Sequence, residues 1–292
     1  MIIGDNREKV IENIKAAVSR EDWNAKVELG DPVLSLKERK SLVNSFWSEQ
    51  DTIKGKVNNK IGHLIFNALT GLFTSTTKFV GLENLENLPK GGAIITANHF
   101  NQLDSLPIKH LANKTHHNLA IAIEDTNLKL PGFLCYLMNY VGTIPLIKTP
   151  SYVGTEFPQH LHDVLEDDNW VLIYPEQEMW WNYRKPRQFQ RGAYYFAAKQ
   201  NVPVISTFIE LQTTDKLEKD HPNFYQNKYV VRVLPTIYPD VKLSANENSK
   251  RMLKQDYQQK VAAFEQAYHR KLDYDFTPWD IAGWRYNYQN KK

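Results

Sequence analysis

The chain has 292 residues, 42% of them hydrophobic and 24% charged, with a formal net charge of +3. That length holds one large domain or two small ones, and that composition excludes wholesale disorder. The small net charge argues against a nucleic-acid partner, and the single cysteine, Cys135, excludes an internal disulfide and fits a reducing compartment.

The start, Met1 to Glu8, is interrupted by charge at once and does not read as a signal peptide. No run of about 18 apolar residues exists, so no simple helix is expected to span a bilayer. Residues 1–58 are polar and mostly helical in pattern. Val10, Ile11, Ile14 and Ala17 recur at helical spacing, and Leu34 to Trp47 gives a second such stretch. No chemistry shows there; a lid, a partner surface or simple packing would each fit. From Lys60 to Phe73, Ile61, Leu64, Ile65, Ala68, Leu69 and Leu72 form one helical stripe, flanked by Lys54, Lys56 and Lys60. Such a helix packs on a sheet or lies in a membrane interface; its weakly polar other face favours packing.

An α/β rhythm follows. Strands are expected at Phe79, Ala93–Thr96, Leu119–Ile123, Thr143–Ile147, Trp170–Tyr174, Val204–Ile209 and Tyr229–Ile237. Helices are expected near Leu106–Ala112, Leu128–Tyr140, Phe157–Leu165 and Gly192–Gln200. The alternation implies an α/β fold: a single catalytic domain with a mixed, largely parallel sheet flanked by helices, plus an N-terminal helical extension. A long helix over Ser244–Leu272 and an aromatic tail with Trp279, Trp284, Tyr286 and Tyr288 close the chain. The tail covers the core or lies at an interface. The expected division is 1–58 helical extension, 59–76 amphipathic helix, 77–240 catalytic domain, and 241–292 helix and tail.

The chemistry centres on Ile94-Ile95-Thr96-Ala97-Asn98-His99-Phe100-Asn101-Gln102-Leu103-Asp104, an apolar run that breaks into a histidine and, five positions later, an aspartate. On one continuous helix that spacing leaves the two side chains roughly 140° apart. If a strand ends near His99 and a helix starts near Asp104, a turn folds one onto the other. A histidine steadied by a buried carboxylate is a general base. A core or surface histidine beside a helix cap would show the same residues. No Gly-x-Ser-x-Gly elbow is present, so the base would activate a hydroxyl of the substrate.

His99, Lys148 and Glu176 each follow an expected strand, and ligands of such sheets collect beyond the carboxyl ends of strands. Pro175 would fix Glu176 at a strand end, to bind a substrate hydroxyl or to order the site; a solvated loop carboxylate is the plain alternative. Trp180 to Gln200 holds five cationic residues, among them Arg184, Lys185, Arg187 and Arg191, and no acid. That positive field suits a phosphate-bearing ligand or an anionic lipid surface, or is a solvated face. His116-His117 and His160-x-His162 lack the partner spacing of a zinc site, and no phosphate loop appears, so neither metal nor bound cofactor is expected.

Taken in order, these pieces resemble the glycerolipid acyltransferases, in particular the 1-acyl-glycerol-3-phosphate acyltransferase group. Asn98-His99 with Asp104 is similar to the family's His-x-x-x-x-Asp signature, Gly142 to Lys148 to its second block, Tyr174-Pro175-Glu176 to its Phe-Pro-Glu block, and Val202-Pro203-Val204-Ile205 to its last. Arg191-Gly192-Ala193 fits the basic-Gly-Ala step before that last block. The resemblance covers about residues 77–240. It implies an O-acyltransferase of membrane lipid synthesis, peripheral on the cytoplasmic face of the cell membrane, with acyl-CoA or acyl-carrier protein as donor and a lysolipid as acceptor. His99 would be the base and Asp104 its orienting partner. Asn98 would belong to the substrate site, Glu176 would bind the acceptor or order the site, and Lys148 would take the phosphate role of the family's usual arginine. The chain departs from the family after Glu176. Gln177, Glu178 and Met179 replace Gly-Thr-Arg, so Arg184, Lys185, Arg187 or Arg191 would supply the missing cation, or the acceptor is a glycolipid or another hydroxylated lipid. A non-catalytic lipid-binding module and a lipid hydrolase remain the alternatives.

Overall fold

Ala93-Ile94-Ile95-Thr96 is buried on both faces, which places it at the centre of a sheet and not at an edge. In the computed structural model, which describes residues 6–286, it is the fourth of seven strands. The opening residues 1–5 of the leader reading, and Tyr288 of the aromatic tail, lie outside the described residues.

The strands are β1 (Lys78–Val80), β2 (Ala93–Thr96), β3 (Leu119–Glu124), β4 (Thr143–Leu146), β5 (Trp170–Ile173), β6 (Val204–Leu217) and β7 (Tyr225–Val233). Their order across the sheet is β1-β7-β6-β2-β5-β3-β4, parallel at every pairing except β6 with β7. The fold is therefore α/β with a mixed, largely parallel sheet, as the alternating pattern implies. The helices are α1 (Arg7–Ser19), α2 (Leu36–Gln50), α3 (Ile53–Thr74), α4 (Ser105–Lys114), α5 (Phe133–Tyr140), α6 (Pro150–Gly154), α7 (Glu156–Glu166), α8 (Gly192–Gln200) and α9 (Ala245–Tyr268).

Strand side chains alternate, so the sheet feeds two cores. Ala93, Ile95, Trp170 and Leu172 join Phe66, Leu106, Leu111 and Leu134 on the face covered by α3, α4 and α5. Ile94 and Val171 join Phe157, Leu161, Tyr194 and Met252 on the face covered by α7, α8 and α9. A third cluster ties the two ends of the chain to the middle: Val10, Ile14, Trp23 and Val27 pack on Trp180, Trp181 and Ile281. The extension thus docks on the loop after β5, and the tail residues Ile281 and Ala282 are buried.

Three elements differ from the sequence reading. Leu128–Tyr140 is not one helix, because Pro131-Gly132 breaks it and Gly132 takes a positive φ of 64°. A short 3-10 turn, Asp125–Lys129, precedes the break. β6 runs on to Leu217, since its polar outer half pairs with β7. Helix α3 begins earlier and turns much of its apolar stripe outward: Ile61, Leu64 and Leu72 are exposed, as are Ile53 and Val57 before them. Its inward face is Gly62, Phe66, Thr70 and Thr74, with Ile65 and Leu69 packed beside them. Gly62 meets the Tyr140 backbone so closely that a Cβ would lie 2.2 Å from the carbonyl oxygen. Small and hydroxylated residues therefore share the helix contact with Phe66, Ile65 and Leu69, while Ile61, Leu64 and Leu72 of the stripe stay outside. No helix among the described residues is long and apolar enough to cross a membrane.

Candidate active site

β2 ends at Thr96 and α4 begins at Ser105, so the intervening turn returns Asp104 to His99. Asp104 Oδ2 lies 2.8 Å from His99 Nδ1 and also accepts the backbone N–H of Phe100 at 2.7 Å and of Asn101 at 3.2 Å. Its other oxygen accepts the Tyr174 hydroxyl at 2.5 Å. The carboxyl is 2% exposed. A carboxylate bonded in this way can only accept, so in the neutral imidazole the tautomer that fits carries its proton on Nδ1 and its lone pair on Nε2. The Tyr174 ring stacks on the imidazole with centroids 3.9 Å apart. Burial first, then the Asp104 charge, pushes the Tyr174 phenol well above its ordinary value, so it stays a donor. Sequence reasoning gave Tyr174 no role. The signal lies in the sheet: β5 pairs with β2 in the register Thr96 to Ile173, which sets the next residue beside the turn.

Glu176 is 2% exposed and faces inward. Oε2 accepts the His99 backbone N–H at 3.2 Å and the Arg187 guanidinium at 3.0 Å, and Oε1 accepts the Arg187 N–H at 3.0 Å. It orders the backbone that carries His99. Asn98 does similar work on the other side: its amide takes the Ile209 N–H at 2.8 Å and gives to the Ile209 carbonyl at 3.1 Å, fastening the end of β2 to β6. The loop after β5 completes the frame, with Trp180 N–H on the His99 carbonyl at 3.1 Å and Asn182 N–H on the Phe100 carbonyl at 2.7 Å.

The cations lie elsewhere. Arg187 is 1% exposed, sits over the Trp180 ring and donates to the Trp23 carbonyl at 2.9 Å. Burial lowers its pKa, and Glu176 pulls the other way. Lys185 is held by Asp273 at 2.9 Å and Asp280 at 3.0 Å. Arg184 binds Thr213 at 2.7 Å and the Trp279 carbonyl. Of the positive field read along the chain, Lys185 and Arg187 are thus neutralised by buried or nearby carboxylates and Arg184 is tied to neutral oxygens. Lys148 is partly exposed and bridges Glu124 at 3.3 Å and Glu178 at 3.2 Å. Arg191 is exposed and bonds Asn246 at 2.6 Å.

A cavity of about 530 Å³ adjoins the turn. His99 and Asp104 do not line it; their neighbours Asn101, Gln102 and Leu103 do, together with Trp181 and Asn182. Phe73 and Thr74, at the end of α3, and Glu28, from the extension, complete this part of the wall. Glu28 carried no signal in the sequence, being a lone acid in a polar stretch.

Residues 79–210 match the family model described as Acyltransferase. No curated protein matches the chain significantly. Among solved structures, the chain is similar to the crystal structure of the 1-acyl-sn-glycerophosphate (LPA) acyltransferase, PlsC, from Thermotoga maritima. That likeness has 16% identity and a TM-score of 0.46, and covers 91% of this chain and 98% of that one. The family match runs from β1 into β6 and contains His99, Asp104 and Glu176. The turn and its frame therefore lie inside the stretch that matches the Acyltransferase family model.

Proposed function

We propose that this chain is an acyltransferase that moves a fatty acyl group from a thioester, acyl-CoA or acyl-carrier protein, to a lysolipid hydroxyl in glycerolipid synthesis. The observation that carries the reading is the His99 ring: Nδ1 is held by a buried carboxylate with all its donors in place, and Nε2 is left for a substrate. Nε2 takes the proton of the acceptor hydroxyl as its oxygen attacks the thioester carbonyl carbon. The tetrahedral oxyanion collapses, the C–S bond breaks, and the departing thiolate takes the proton back from the imidazolium. The products are an ester and a free thiol. Asp104 steadies the imidazolium formed between the two steps. No bound cofactor enters this sequence, since the donor thioester is itself a substrate.

In this reading the reaction runs at a membrane surface, on the cytoplasmic face. Support comes from α3, whose exposed stripe of Ile53, Val57, Ile61, Leu64 and Leu72 leads to Phe73 and Thr74 in the cavity wall. An apolar helix face with Lys54, Lys56 and Lys60 beside it suits the interface of an anionic bilayer. Leu64→Asp, far from the core, is expected to lower flotation with anionic phospholipid vesicles about tenfold, on the scale of one leucine's burial. Unchanged flotation would remove α3 from the membrane reading.

The activity test uses purified protein, acyl-CoA or acyl-carrier protein, and a panel of lysolipids. His99→Ala is expected to lower transfer by at least ~10²-fold. Undiminished transfer in that variant defeats the assigned role. Free fatty acid without new ester points to a hydrolase, and lipid binding without any transfer points to a binding module.

A further inference from the structure

The extension brings one carboxyl to the cavity that the chemistry above does not use. Residues 23–27 are fastened to the loop that frames His99. The Trp23 carbonyl accepts from Arg187 at 2.9 Å, the Ala25 carbonyl from the Trp180 indole at 3.0 Å, and the Asn24 amide donates to the Glu176 carbonyl at 3.1 Å. Glu28 follows directly, so its position is set by the catalytic frame. Its Oε1 is shut from solvent and has no hydrogen-bond partner. Such an atom is unfavourable unless something completes it. Burial, with Asp31 beside it, pushes the Glu28 carboxyl up to about 7, while His99 and a Trp181 backbone hydrogen bond pull the other way.

The cavity's charges argue against a phosphate. Among the described lining residues the cation is Arg7, which is bound to Glu218 at 2.6 Å and lies over the Trp181 ring. Arg184, Lys185, Arg187 and Lys148 do not line the cavity. A phosphate there would meet Glu28 and Glu218 with no unpaired cation. The remaining polar lining is mostly carboxamide, from Asn6, Asn101, Gln102, Asn182, Gln226 and Asn227, with Thr74 and Tyr229 beside them. Amides and a carboxyl are the groups that match hydroxyls, each of which donates once and accepts twice.

We propose that Glu28 is a specificity residue for the acceptor: its open carboxyl oxygen binds a hydroxyl of a neutral, polyhydroxylated headgroup, a glycosyl or glyceryl group, and disfavours phosphate. The assignment rests on the reading of His99 as base for a lipid hydroxyl, and it gives the N-terminal extension a part in choosing the substrate.

The test measures equilibrium binding without acyl donor, so that it needs no turnover. The full chain is titrated with a glycosyl monoacylglycerol and with lysophosphatidate, each below its micelle concentration. Wild-type protein is expected to bind the glycosyl lipid more tightly. Glu28→Ala is expected to weaken that binding at least about tenfold, the scale of one charge-assisted hydrogen bond. Glu28→Gln, which keeps an accepting oxygen and the shape, is expected to lose less than about threefold. Thermal unfolding of each variant separates lost binding from lost folding. With donor present, Glu28→Ala is expected to raise the acceptor KM and leave the donor KM unchanged. Equal glycosyl-lipid affinity in Glu28→Ala and wild type overturns the proposal. So does a wild-type preference for lysophosphatidate that sharpens when Glu28 is removed. Glu28-dependent binding by a protein that transfers nothing would defeat the catalytic reading alone. Normal transfer with an unchanged acceptor KM in Glu28→Ala would defeat this proposal alone.

Discussion

The turn from Asn98 to Asp104 and the run from Trp180 to Arg191 touch, yet they are wired in opposite ways. The turn closes mostly on itself. Asp104 binds the His99 ring and the N–H groups of Phe100 and Asn101, all within five residues. The run closes on distant chain. Arg184 reaches Thr213 and Trp279, Lys185 reaches Asp273 and Asp280, and Arg187 reaches Trp23 and Glu176. A charge whose partner lies within one turn declares its role in the sequence. A charge whose partner lies far along the chain looks free and reads as a site for an anion, although here it is scaffolding.

The strongest way to break that contrast is to remove the scaffold at its most buried point. Arg187→Ala leaves the Glu176 carboxylate buried at 2% exposure without its cation. Breaking a buried pair from one side destabilises a fold by about 3–5 kcal/mol. Chemical denaturation is expected to show a loss of that size, with transfer activity falling too because Glu176 also holds the His99 backbone. A loss under about 1 kcal/mol, the scale of a surface pair, would mean that the run is a solvated face after all.

The same contrast explains how far the sequence could be read. β2 and α8 have the bounds expected from their residues, because a short apolar run and an apolar helical stretch bounded by polar residues are local signals. The meeting of His99 and Asp104 was legible for the same reason. The outer half of β6 was not, since residues 212–217 are held by pairing with β7 and carry no apolar pattern of their own. The direction of the α3 stripe was not legible either. A run of leucines and isoleucines signals a helix face, but which face turns inward depends on contacts with distant chain, such as Gly62 against Tyr140 and Phe66 in the core. Tyr174 and Glu28 required the sheet order and the docking of the extension, which are tertiary facts.

Tyr174 also gives the finest test of how closed the turn is, because its hydroxyl is the bond to Asp104 that comes from another strand. Tyr174→Phe removes that bond and keeps the ring stacked on His99 at 3.9 Å. If the phenol positions the dyad through Asp104, kcat is expected to fall about tenfold with both KM values unchanged, and stability to fall by about 1 kcal/mol. A merely structural tyrosine would show the stability loss without the selective fall in kcat. The decisive form is a double-mutant cycle, since groups that act as one unit are not additive. In the His99→Ala background the imidazole that Asp104 orients is gone, so Tyr174→Phe should no longer lower the residual rate. A full tenfold fall in both backgrounds would place the tyrosine's action outside the dyad and leave the turn as self-contained as its local hydrogen bonds imply.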